Sequence, residues 1–154
     1  MRLVLWNPVA GCGVRVLWAR CDPTRPLLPA AVGKTAQAIA HLAQLLEAGE
    51  CGPHLIVAPV STLANWRREL ARWCPALRVV QYYGSEAERA SILDDLRYAC
   101  KGGAGERPHV VLGAYTLFER DNEKSRTERV RLGRLFEDGY VVLDEAQQVG
   151  AAPS

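Results

Sequence analysis

From about residue 34 onward the chain alternates between two hydrophobic periods. Over residues 36–48, Ile39, Leu42, Ala43 and Leu46 recur at helical spacing, and Gly49 supplies a stop. Residues 54–58 form a short apolar run closed by Pro59, which reads as a strand. Ser61 or Thr62 is placed to cap the following helix, in which Leu63, Trp66, Leu70 and Trp73 line one face, Arg67, Arg68 and Arg72 lie on the other, and Pro75 ends the run. Residues 77–82 read as another strand. Gly84 and the capping-box pair Ser85 and Glu88 then open a helix to about Cys100, with Ile92, Leu93 and Leu96 inward. A glycine-rich loop over 101–108 leads to a strand at 109–113. A final apolar run, Tyr140-Val141-Val142-Leu143, ends in two acids, Asp144 and Glu145.

Strands that alternate with helices predict an α/β fold: a parallel sheet covered by helices on both faces. In such sheets ligands sit at the carboxyl ends of the strands. Two stretches carry chemistry suited to that edge. Gly33-Lys34-Thr35, just before the first helix, is the back half of a phosphate-binding loop, where backbone N–H groups wrap phosphates, a lysine neutralises charge and a hydroxyl holds magnesium. Asp144, at the end of an apolar strand, can hold magnesium directly or through water, and Glu145 can orient or deprotonate an attacking water. Each motif alone is common by chance; together, each on the element it needs, they point to nucleotide binding.

Composition adds bounds rather than detail. The 154 residues are the size of one domain, and 49% hydrophobic with 23% charged is ordinary globular usage. A net charge of +2 is too small to argue for nucleic acid by itself. The five cysteines are odd in number and contain no C-x-x-C pair, and three histidines are equally scattered, so neither a zinc site nor a disulfide framework is indicated. The stretch 119–131, with four arginines, one lysine and four acids, reads as a solvated loop and helix face.

Residues 1–30 form an irregular segment. Arg2 and the apolar Leu3 to Trp6 look like the start of a signal peptide, but Asn7-Pro8 cuts the run to four residues, and export is rejected. A short strand is expected at 14–18, and three prolines between 21 and 29 mark a connector. The expected organisation is residues 1–30 as this irregular N-terminal segment, 31–149 as a partial nucleotide-binding lobe and 150–154 as a tail.

The middle of the chain resembles a known family. Gly52-Pro53-His54-Leu55-Ile56-Val57-Ala58-Pro59-Val60-Ser61-Thr62-Leu63-Ala64-Asn65-Trp66-Arg67-Arg68-Glu69-Leu70 is similar to motif Ia of the SWI/SNF-type ATPases. Trp73 to Leu77, Tyr82 to Ser85 and Glu88-Arg89 look like the same family, nearest to chromatin remodellers with a DEAD/H-like box, and Val141 to Gln147 resembles its motif II. The resemblance covers about residues 33–149. It implies a RecA-like P-loop lobe of an ATP-dependent DNA translocase, with ATP and Mg2+ as cofactors, duplex DNA or a nucleosome as partner, and a nuclear location. Gly33, Lys34 and Thr35 would bind phosphates, Thr35 and Asp144 the metal, and Glu145 would activate water. Pro59, Ser61, Thr62 and Trp66 match the motif that in the family lies along DNA; the resemblance implies Ser61 or Thr62 as a phosphate donor, and helix capping with a core Trp66 is the alternative for these side chains.

The departures from the family matter too. Ala31 stands where the family has a glycine; if positive φ is required there, a Cβ costs about 1–2 kcal/mol, enough to weaken nucleotide binding roughly tenfold. Pro29 removes an N–H from the approach to the loop. The sequence stops at Ser154, so the resemblance implies an incomplete lobe without its second RecA-like partner, inactive as an ATPase by itself. The alternative is a catalytically dead DNA- or protein-docking module, or a nonfunctional gene fragment.

Overall fold

A computed structural model of the chain describes residues 15–16, 33–50, 52–102, 107–119, 122–137 and 139–145. The expectations placed on Pro29, Ala31 and the rest of the irregular N-terminal segment outside the Arg15–Val16 pair, and on the tail, lie outside these residues.

Among the described residues, five strands form one all-parallel sheet. Strands β1 (Arg15–Val16), β2 (His54–Ala58), β3 (Val79–Tyr82), β4 (Val110–Ala114) and β5 (Tyr140–Leu143) lie in the order β1-β5-β2-β4-β3. The register pairs Ile56 with Val142 on one side and with Leu112 on the other, which sets β5 and β4 either side of β2. Every residue of β2 and β4 is buried, as expected of strands covered on both faces.

The pleat divides the core in two. Ile56 and Ala58, with Val110, Leu112 and Val142, pack on helices α1 (Lys34–Glu47) and α2 (Val60–Trp73). Leu55 and Val57, with Val111 and Tyr82, face the opposite layer, built from α3 (Glu86–Lys101), the short α4 (Thr116–Glu119), α5 (Glu123–Gly133) and the 3-10 turn Arg134–Phe136. Alternate strand residues thus serve opposite faces, and each fully buried leucine, such as Leu70 or Leu112, contributes roughly 1.5–3 kcal/mol of transfer free energy.

Most expected elements are present, and their differences have local causes. Helix α1 begins at Lys34, two residues early, and buries Ile39, Leu42 and Leu45, with Ala43 and Leu46 half-buried beside them. Strand β3 starts at Val79 rather than residue 77, because the Arg78 amide donates to His109 Nδ1 while the Arg78 carbonyl accepts from the His109 and Val110 amides. Leu77 still reaches the core from its bend.

Ser61 and Thr62 do not cap α2. Pro59 occupies the N-cap, and the Thr62 hydroxyl donates backward to the Pro59 carbonyl at 2.9 Å. Trp73 is not inward: it is 53% exposed at the last residue of α2, where its indole donates to Glu69 Oε2 at 2.7 Å and Arg72 lies over the ring. A residue in the final turn has neighbours on one side only, so helical phase alone does not bury it. The charged stretch is mostly solvated, yet Glu128 within α5 is half-buried and accepts from Arg89 Nε (2.7 Å) and the Tyr82 hydroxyl (2.5 Å), fastening α5 to α3 and β3.

One glycine positions the acidic strand. A Cβ on Gly139 would lie 2.1 Å from the Pro53 carbonyl oxygen, so only glycine lets β5 enter this close to the start of β2.

Candidate functional site

The connections bring the chemistry-bearing residues to one edge. Helix α1 runs back across the sheet before β2, so its first turn lies toward the carboxyl ends of the strands. At 14 residues it is about 21 Å long, which matches a five-residue strand of roughly 17 Å. Helix α2 starts directly after β2, and Asp144 and Glu145 follow directly after β5. Lys34 and Thr35, Ser61 and Thr62, and Asp144 and Glu145 therefore share the carboxyl edge.

The start of α1 is chemically open. Gly33 is its N-cap, makes no side-chain cap bond, and is followed by a first turn without acids. Among the described residues, nothing lies within 4 Å of a Cβ built on Gly33. The Gly33 carbonyl accepts from the Ala36 amide at 2.9 Å, which starts the helix, while Lys34 is exposed and Thr35 half-buried. The positive end of the helix dipole is thus not neutralised by an acidic residue of its own first turn.

The end of β5 is held from three directions. The Asp144 amide donates to the Val57 carbonyl at 2.8 Å, which continues the ladder one residue beyond the strand. The Trp66 indole N–H, from α2, donates to Asp144 Oδ2 at 2.8 Å. The Tyr115 hydroxyl, from the end of β4, donates to the Asp144 carbonyl at 2.5 Å. Burial, followed by the negative charges of Asp144 and Glu145, pushes the Tyr115 phenol up to about 12, so it stays a donor throughout the neutral range.

Glu145 takes φ +54°, a left-handed conformation that costs a non-glycine residue about 1–2 kcal/mol. Strain of that kind persists where neighbours over-determine the backbone, and the bonds that pin Asp144 are such neighbours. The turn redirects the chain at the strand end. Trp66 and Tyr115 are thus parts of the site that sequence reasoning did not assign to it. Trp66 reads from its spacing as a core residue, and its indole partner is 78 residues away in the chain.

The fold is of the α/β class, an all-parallel sheet with helices on both faces. A model of the SNF2-related domain matches residues 29–154. The chain belongs to the SNF2-related domain family. It is 42% identical over 116 residues to Protein CHROMATIN REMODELING 19 of Arabidopsis thaliana, covering 75% of this chain and 15% of that protein. To the ATP-dependent helicase fft2 of Schizosaccharomyces pombe it is 64% identical over 61 residues, 40% of this chain and 5% of the helicase. To the human SWI/SNF-related matrix-associated actin-dependent regulator of chromatin subfamily A containing DEAD/H box 1 it is 40% identical over 115 residues, 72% and 10% of the two chains. The solved Sulfolobus solfataricus SWI2/SNF2 ATPase core, in complex with dsDNA, matches at 20% identity and a TM-score of 0.47, over 86% of this chain and 27% of that one. The chain thus spans a small part of the relatives it matches. Among the described residues, no helix is long and apolar enough to cross a membrane.

Proposed function

We propose that the chain is the ATP-binding lobe of a DNA translocase of the chromatin-remodelling type. The observation that carries this reading is the edge itself: the start of α1, whose Gly33 N-cap has no side chain to offer, with Lys34 and Thr35, and the pinned Asp144 with Glu145, lie at the same ends of one parallel sheet. These residues suit a magnesium-bound nucleoside triphosphate. An open helix start without acids accepts anionic oxygens, and magnesium in such sites takes one or two carboxylates, with phosphates and waters completing its shell.

In this reading Gly33 leaves room for close approach of phosphate, and Lys34 neutralises phosphate charge. The Thr35 hydroxyl and the Asp144 carboxylate hold magnesium, which supplies charge neutralisation at the phosphates when bound. Glu145 orients or deprotonates the water. Ser61, exposed in the first turn of α2, is the candidate donor to a DNA backbone phosphate; the Thr62 hydroxyl already donates to Pro59 and contributes less. Duplex DNA or a nucleosome as partner, and the nucleus as the site of action, follow from the remodeller relatives.

Calorimetric titration of ATP with Mg2+ into the 154-residue chain tests the reading. Lys34→Ala removes a charge-assisted contact, about 1.5–3 kcal/mol, and should weaken binding roughly tenfold to a hundredfold. Equal binding by Lys34→Ala, or no binding by a folded wild-type sample, would sink it.

A further inference from the structure

We propose that Trp66 is a positioning residue for Asp144: by holding Oδ2 it assigns Oδ1 as the oxygen that meets the divalent cation. The proposal rests on the nucleotide-binding reading above and adds a residue to it. Trp66, on the buried face of α2, is 2% exposed, and its indole N–H is 2.8 Å from Oδ2. Indole is a donor only, so Trp66 cannot compete with Asp144 for a cation, and a carboxylate accepts what it offers. The Asp144 main chain is fixed separately, by Val57 through the amide and by Tyr115 through the carbonyl. Those bonds leave the side-chain torsions of Asp144 free, including the broad rotation of its carboxylate, and the Trp66 N–H is a contact that restrains them.

A tryptophan serving only as core filler would be indifferent to losing its N–H while keeping its shape. A positioning tryptophan would not. Groups that orient a metal-binding carboxylate commonly matter tenfold to a hundredfold in metal affinity. The effect should therefore appear in the magnesium-dependent part of ATP binding and leave the magnesium-free part alone.

The test measures ATP affinity with Mg2+ and with EDTA, in the whole chain and its Trp66→Phe variant. Magnesium-dependent tightening should fall about tenfold or more in Trp66→Phe, with the EDTA affinity within twofold of wild type. In an Asp144→Ala background, Trp66→Phe should change nothing further, because its only route to the metal is gone. If Trp66→Phe fails to fold, replacement of Trp66 by β-(3-benzothienyl)alanine keeps the ring shape and removes the donor. A second readout is the Trp66 indole N–H resonance, which should move on addition of Mg2+ and ATP together and not with ATP in EDTA. Magnesium tightening unchanged in the donor-less chain, or both affinities falling together, overturns the positioning role while leaving nucleotide binding intact. A folded wild-type chain that binds no ATP overturns the underlying reading instead, and the proposal with it.

Discussion

Helices α1 and α3 both begin at the carboxyl edge of the same sheet, yet their first turns are finished in opposite ways. Ser85 accepts from the Glu88 amide, Glu88 reaches back to the Ser85 amide at 2.7 Å, and Glu86 and Glu88 put two acids in the first turn of α3. That end is closed by its own residues. At α1, Gly33 has no side chain to offer, and the first turn carries Lys34 with no acid. A helix start closed from within gains stability for itself, whereas one left open keeps its positive end for an outside anion. Under the proposed function, the difference separates a helix that closes its own start from the one that would meet the nucleotide.

Carrying the chemistry of α3 over to α1 should break the difference with the largest effect. Gly33→Asp meets no steric obstacle, since φ is −55° and the Cβ space is open. It places an acid where phosphate would bind and should weaken ATP binding at least tenfold, about 1.4 kcal/mol. Because glycine is itself a tolerable N-cap, stability should change by only a few tenths of a kcal/mol, a Tm shift of about 1 °C.

Acid should act next, at the opposite end of the sheet. His54 Nδ1 accepts from the Tyr140 amide and His109 Nδ1 from the Arg78 amide, roles open only to a neutral ring. Burial pulls both below the usual histidine value of 6.5. Between 6.5 and the lowered folded values, the unfolded chain binds more protons than the folded one. Stability from these two histidines should therefore be complete above pH 6.5 and decline as pH falls, seen as a falling Tm; a Tm flat down to pH 5 would contradict the neutral assignment.

Ser85→Ala sharpens the comparison from the other side. It should cost about 1 kcal/mol, roughly 2–4 °C in Tm, and leave ATP affinity unchanged. The smallest effect belongs to Glu88, whose carboxyl is held below its ordinary value first by the Ser85 hydroxyl and then by the Ser85 amide. This contribution is present above the ordinary carboxylate value and lost as pH falls through the lowered one. A Glu88→Gln chain should show a slightly weaker acid dependence below pH 4.5.

Much of the lobe was legible in the sequence, for reasons visible in single residues. Ser85 and Glu88 stand three apart, and the capping box forms; Ile56 and Val142 lie in continuous apolar runs, and both are buried on parallel strands. Such features are local, so spacing reports them. Gly33, Lys34, Asp144 and Glu145 were legible as candidates because their motifs are short and sit at element ends.

What spacing could not show were partners supplied by distant elements. Trp66 has the phase of a core residue, and so it is, but its N–H serves Asp144. Glu128 looked like one charge among many until Tyr82 and Arg89 closed on it. Trp73 shows the converse error: its phase is right, but the helix ends there. A useful signal was available at Trp66 all the same, because a buried indole N–H requires an acceptor and the aspartate at a neighbouring strand end is one.

The most direct test of the central claim is the shift in Tm produced by ATP with Mg2+ in wild type, Gly33→Asp and Ser85→Ala chains. Ligand at a hundred times its Kd should stabilise the wild type by about 2.7 kcal/mol, roughly 5–11 °C. The shift should persist in Ser85→Ala and be largely lost in Gly33→Asp. Equal shifts in all three chains, or none in a folded wild type, would contradict the view that the open start of α1 is kept for a nucleotide.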